Sequence, residues 1–173
     1  LILLAAQKLA PELGAARAAS VAVALYVLHN VLYAGFAFLA GWLADRFEKR
    51  KLLAAAYGLA AVTALLIVLL PATLWTFALV FACGGIYVAA EEALEDSFCA
   101  ELVPDAHHGM AFGTLATVNG VGDFLSSIVV GVLWTVFGTA VAFGYSAVLF
   151  VTGSLLVWSL PPASPVSRSP SPA

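Results

Sequence analysis

Five apolar runs, each long enough to cross a bilayer, leave this chain few ways to fold. They cover residues 20–43, 52–70, 73–102, 110–137 and 140–160. A helical crossing needs about 20 predominantly apolar residues, and within lipid every backbone polar group must be bonded inside a helix or a closed barrel. The runs are continuously apolar rather than alternating, which argues against the strands of a membrane barrel. The expected fold class is therefore all-α, a multi-pass transmembrane helix bundle. Composition agrees. Only 10% of the 173 residues are charged, against roughly 25% in soluble domains, so there is too little polar side chain to coat a globule.

Turn residues set the boundaries. Pro71-Ala72-Thr73 is so short that the runs on either side must be antiparallel neighbours. Pro104 stops the third run, Gly138-Thr139 separates the fourth from the fifth, and Pro161-Pro162 ends the last. Residues 1–6 are expected to be the end of a truncated helix. Residues 7–19, with Lys8, Pro11, Glu12, Gly14 and Arg17, are expected to form an external connection. Pro11 should keep that stretch from being one continuous helix, and Ser20 is the expected N-cap of the first complete span. The transmembrane domain is expected over 20–162, followed by a disordered Ser/Pro-rich tail over 163–173. The chain has no initiator Met, its single Met being Met110, and it is expected to be a fragment.

Charge is concentrated between the first two complete runs. Arg46, Lys49, Arg50 and Lys51 are four of the seven basic residues. Short Lys/Arg-rich loops are retained in the cytoplasm. Counting crossings from there puts the His107-His108 loop and the tail with Arg168 on the same side, and Lys8 and Arg17 opposite. The expected location is the cell membrane, with this loop and the carboxy-terminal tail cytoplasmic. No basic patch with interleaved aromatics is present to suggest nucleic acid.

The order of residues in that loop is more specific. Gly41-x-Leu43-Ala44-Asp45-Arg46-Phe47, followed by Lys49-Arg50-Lys51, resembles the signature loop of the major facilitator superfamily of secondary transporters. The family usually has Gly where this chain has Glu48. A second stretch, Ala100-Glu-Leu-Val-Pro104-x-x-x-His108-Gly109-x-Ala111-Phe112-Gly113, resembles the run that enters the family's eleventh helix, usually with Arg at the place of His108. The pattern continues through Gly120-x-Gly122, Gly131-x-Leu133-Trp134, Gly138 and Ala142-Phe143, so the resemblance covers nearly the whole chain. The Arg and the Gly-Pro pair usual in the amino-terminal half are missing from the corresponding places. The resemblance thus implies the carboxy-terminal half, helices eight to twelve preceded by the last turns of seven. It implies solute transport by alternating access, with an amino-terminal half as the partner that completes the substrate site.

Polar residues on the spans are the candidate sites. Glu91, Glu92, Glu95 and Asp96 fall within about 140° of arc on one helix, and four acids on one face cannot all face lipid. The resemblance implies a cytoplasmic gate in which Gly41, Asp45, Arg46 and Arg50 meet Glu95 or Asp96. Glu91 and Glu92 lie a turn deeper and are candidates to carry a proton, because clustered carboxylates hinder one another's ionisation. Asp123 follows Gly109 by about 21 Å of helix, which places it near the bilayer midplane, with Asn119 one turn away. His29 and Asn30 reach a similar depth on the first complete span. An intramembrane ionisable group is a candidate functional site by default. Asp123 with His29 or Asn30 across from it is the expected coupling site. The other reading of Asp123 is an acid that only packs helices, held by Ser126 or Ser127.

Other features carry less. Gly35, Gly84, Gly85, Gly120, Gly122 and Gly131 are expected to permit close helix packing. Cys83 and Cys99 stand about 24 Å apart along one helix and cannot pair with each other. Two adjacent loop histidines make no metal site without further ligands, and no Gly-rich phosphate loop suggests an ATP-driven pump. The expected function is a proton-coupled permease for a small solute, with the lipid bilayer as its environment, no cofactor, no metal and no catalytic residue. Two rivals remain. One is a membrane-embedded metal-dependent enzyme using the Glu91–Asp96 cluster, and the other is a structural membrane subunit that transports nothing.

Overall fold

The end of each helix can be traced to one or two residues. The computed structural model describes residues 1–160 and contains α1 (Ile2–Leu13), α2 (Ala15–Ala44), α3 (Lys49–Leu69), α4 (Leu74–Leu102), α5 (His108–Phe137) and α6 (Thr139–Ser159). A single 3-10 turn, Asp105–His107, precedes α5, and the described residues include no strand. Leu70, Val103 and Leu160 are extended because each precedes a proline, whose ring disfavours a helical predecessor. Thr73 caps α4 by accepting the N–H of Thr76 at 3.3 Å, which satisfies one of the unpaired donors of a helix start. Gly14 and Gly138, at φ 78° and 88°, each turn the chain between helices in one residue, a conformation open to glycine at little strain.

Five of these helices, α2 to α6, are long and apolar enough to cross a membrane. Their neighbours are set by small residues. Consecutive α1 and α2 pack together, and Leu4, Ala5, Leu9, Ala18, Ala22 and Leu25 bury themselves with Phe77 and Phe81 of α4. α4 also lies along α3, and α3 lies along α6, where Ser154 Oγ donates to Ala54 O at 2.7 Å. α5 packs on α6 and barely touches α4, and none of its residues is buried. It therefore presents a long bare surface beside α4.

Several expected details are corrected. The helix of residues 2–13 continues through Pro11. Pro11 sits in its last turn, so its missing N–H removes one bond near an end that fails anyway at Gly14. α2 begins five residues before Ser20, and Ser20 Oγ bonds back to Ala16 O at 3.1 Å. Residues 49–51, expected in the loop, form the first turn of α3. Gly84 and Gly85 do sit at a close helix approach, but Gly35, Gly120, Gly122 and Gly131 would meet nothing within 4 Å even with a side chain added. The residues from 161 onward, including the expected disordered tail and Arg168, lie outside the described residues.

Candidate functional site

Two acids of α4, Glu92 and Glu95, are bonded to neutral donors. Tyr33 Oη of α2 donates to Glu92 Oε2 at 2.5 Å. Glu95 accepts twice, from the hydroxyl of Tyr57 on α3 and from Asn119 Nδ2 of α5 at 2.7 Å. One carboxylate thus joins three helices. Glu91, one turn earlier and beside Tyr87, lies within the electrostatic reach of Glu95, Asp123 and Glu92. The three tyrosines were not singled out from the sequence. The available signal was a phenol on an apolar span, whose hydroxyl needs a partner when buried.

Asp123 and Asn119 are one turn apart on α5, so they share a face, and Asn119 fixes that face toward Glu95. Asp123 therefore stands on the α4 side of α5, exposed, with no side-chain hydrogen bond among the described residues. Ser126 Oγ bonds the Asp123 carbonyl rather than its carboxylate. His29 and Asn30 bond elsewhere. His29 Nδ1 lies 3.2 Å from Phe81 O, a carbonyl that can only accept, so a bond between them requires the proton on this nitrogen. Its ring stacks on Tyr26, meets Phe81 edge-on and lies against Gly84. Asn30 Nδ2 donates to Tyr26 O of its own helix at 2.7 Å. The expected pairing of Asp123 with His29 or Asn30 is not made. His29 is an anchor between α2 and α4.

The charged loop is arranged differently from the expected gate. Neither Arg46 nor Arg50 forms an ion pair with Glu95 or Asp96 among the described residues. Arg50 and Lys51 both bind Glu48, at 2.5 and 2.7 Å. Arg46 lies over the Trp42 ring, 3.7 Å from its centroid, a cation–π contact. Lys49 reaches α4 instead, pairing with Glu101 at 2.7 Å and donating to Ser97 O at 3.3 Å. Glu95, a turn and a half deeper than Glu101, is already taken by Tyr57 and Asn119. Gly41 accepts the Asp45 N–H at 3.2 Å, closing the end of α2. The carboxylates of Asp45 and Asp96 are exposed and unbonded among the described residues.

Glu48 explains its own departure from the family pattern. Its φ of −63° is open to any residue, so the turn here does not need the usual glycine. Its charge offsets three cations in the first turn of α3, where the helix dipole disfavours them. The hydrogen bond from Lys51 and the charge of Arg50 hold its carboxyl below the usual range against some desolvation. At the other loop, His108 Nε2 lies 3.2 Å from both Ala100 O and Val103 O, capping the end of α4, and 3.7 Å from Asp105. Cys83 and Cys99 are free. Among the described residues no three His, Cys, Asp or Glu side chains converge as metal ligands would.

Compared with known families, residues 1–173 match the model of the Major Facilitator Superfamily. The chain belongs to the major facilitator superfamily. This agrees with the bundle of membrane-length helices and makes it a multi-pass membrane protein. A curated superfamily relative from Methanocaldococcus jannaschii, described as an uncharacterized MFS-type transporter, is 27% identical over 135 residues. The match covers 78% of this superfamily member and 33% of the relative, so the chain spans about a third of that protein's length. No solved structure matches.

Proposed function

We propose that this chain is the carboxy-terminal half of a secondary transporter that moves a small solute across the cell membrane by alternating access, coupled to protons. The amino-terminal half would cover α5 and the acid face of α4, and the α2–α3 loop would lie in the cytoplasm. One observation carries the reading. Glu91 lies within electrostatic reach of Glu95, Asp123 and Glu92, Asn119 of the bare helix α5 reaches Glu95, and among the described residues no cation pairs with these acids. Carboxylates at membrane depth that have only tyrosine and asparagine donors are suited to taking and releasing a proton. Glu95, Asp123 and Glu92 also repel a charge on Glu91, which water entering a cavity would relieve.

The gate of this reading keeps Gly41, Asp45, Arg46 and Arg50 on the loop side and Glu95 and Asp96 on α4. In the present conformation Lys49–Glu101 ties the two together. Asp45 and Asp96 are left available for the opposite half.

The test uses the intact protein in liposomes holding a pH-sensitive dye. A panel of solutes is screened for proton movement that follows solute uptake. Asp123→Asn and Glu91→Gln should each slow coupled uptake at least tenfold while leaving insertion intact. If the Asp123→Asn and Glu91→Gln proteins both concentrate the solute at the wild-type rate under a proton gradient, the coupling is lost as an explanation.

A further inference from the structure

On the side of α4 away from the acids, α2, α3 and α4 surround an open cleft of about 230 Å³. Leu39 and Leu43 of α2, Leu52 and Ala55 of α3, and Ile86 and Leu94 of α4 are among its walls, and every lining residue is apolar. Ile86, Ala90 and Leu94 recur at four-residue steps and form one stripe. Glu91, Glu92 and Glu95 lie roughly 100–200° around the helix from Ala90. The cleft is therefore separate from the candidate transport site. It runs along α3 from Leu52 to Leu59, about 10 Å.

The cleft ends at the basic loop. Leu43 O accepts the N–H of Arg46 at 3.0 Å and of Phe47 at 2.9 Å, and Leu52 N–H bonds Glu48 O at 3.2 Å. Its walls are thus stitched to the charged turn. Of the four cations there, Arg46 alone has no carboxylate partner among the described residues. It is exposed and lies over Trp42, an aromatic of the kind that sits at headgroup depth.

We infer that this cleft binds one anionic phospholipid of the leaflet on the loop side, with an acyl segment between α2, α3 and α4 and its phosphodiester on Arg46. Apolar walls open to the bilayer are suited to a hydrocarbon chain. The guanidinium fork matches phosphate oxygens, and juxtamembrane basic clusters attract anionic lipid. A zwitterionic headgroup would bring an ammonium toward Arg46, which has no carboxylate partner among the described residues to offset it, so Arg46 selects against it.

Native mass spectrometry of the intact protein in detergent tests this, with dioleoyl phosphatidylglycerol and dioleoyl phosphatidylcholine as probes. One phosphatidylglycerol should be retained per protein, in clear preference to phosphatidylcholine. Arg46→Gln should weaken that retention about tenfold, the size of losing one charge-assisted contact. Ala55→Phe should block the cleft and lower retention of both lipids. Leu39→Trp, on the opposite wall and also at an exposed position, is the second blocking variant should the first fail to fold. Equal retention of the two lipids, or unchanged phosphatidylglycerol retention in Arg46→Gln, would overturn the headgroup assignment. Unchanged retention in a folded blocking variant would overturn the cleft.

Discussion

Asn119 of α5 donates to Glu95 of α4 across 2.7 Å, at a place where the two helices barely touch. Tyr57 holds the other oxygen of the same carboxylate from α3. Glu95 is thereby the one side chain among the described residues with hydrogen bonds to two other helices. A bond between loosely packed helices is suited to breaking and re-forming when one moves.

Asn119→Leu should therefore release α5 from α4. A hydrogen bond to a charged group contributes about 1.5–3 kcal/mol, and this one is exposed, so the lower end is expected. Thermal unfolding in detergent should show the loss. Hydrogen exchange should rise along α5 and stay unchanged in α3 and α6. In a cycle with Glu95→Gln the two losses should not add. Additive losses would mean that the contact is incidental.

Gly85 leads to a sharper expectation. A β-carbon there would lie 2.3 Å from the carbonyl oxygen of His29, and backbone of α2 cannot yield as a flexible side chain would. Gly85→Ala should push α2 from α4 and destabilise the protein by about 1–3 kcal/mol or more, as overpacking does. Gly35→Ala, which meets nothing within 4 Å, should be neutral or slightly stabilising, because alanine is the better helix former. Melting temperatures of the two variants, compared in one detergent, check both. Equal effects would contradict the observed approach of α2 and α4.

These cases mark what a sequence can convey. The spans were legible because lipid requires continuous apolar runs, and Pro71, Pro104 and Pro161 end them by local sterics. The acids on α4 were legible as a cluster because one helix carries all of them. Their partners were not, since Tyr33, Tyr57 and Asn119 meet them only through the rotation of three other helices. Gly35 and Gly85 look alike in sequence, and only the neighbour decides which one is crowded. The partners of the gate cations in this conformation were not legible, for a local reason. Glu48, close in sequence, captures Arg50 and Lys51, and Trp42 captures Arg46, before either arginine can reach α4.

Lys49 and Glu101 form the link between loop and α4. Lys49 is largely shielded and Glu101 is half exposed, so the pair should contribute about 0.5–1 kcal/mol. Glu101→Gln should weaken it, and the exchange Lys49→Glu with Glu101→Lys should restore most of the loss. In the intact protein the single variant should shift the balance between conformations. The cross-linking rate of cysteines placed at the exposed positions 47 and 102, which leave the pair itself intact, measures this. No rescue by the exchanged pair would remove the link from the gate.

Glu48 should make part of the stability pH-dependent. Lys51 and Arg50 lower its folded pKa below the ordinary glutamate value of 4.5. The folded state then binds the proton less readily than the unfolded state. Its stabilisation is fully present above about 4.5 and is lost as pH falls through the lower folded value. At pH 7 Glu48→Gln should melt below the wild type. On acidification past the folded pKa the two curves should converge, because the wild-type carboxyl is then also neutral. The carboxyl titration, followed by NMR with labelled glutamate, should have its midpoint below 4.5 and move upward in Lys51→Met. A gap between wild type and Glu48→Gln that persists unchanged into acid would show that Glu48 acts through the shape of the turn rather than through its charge.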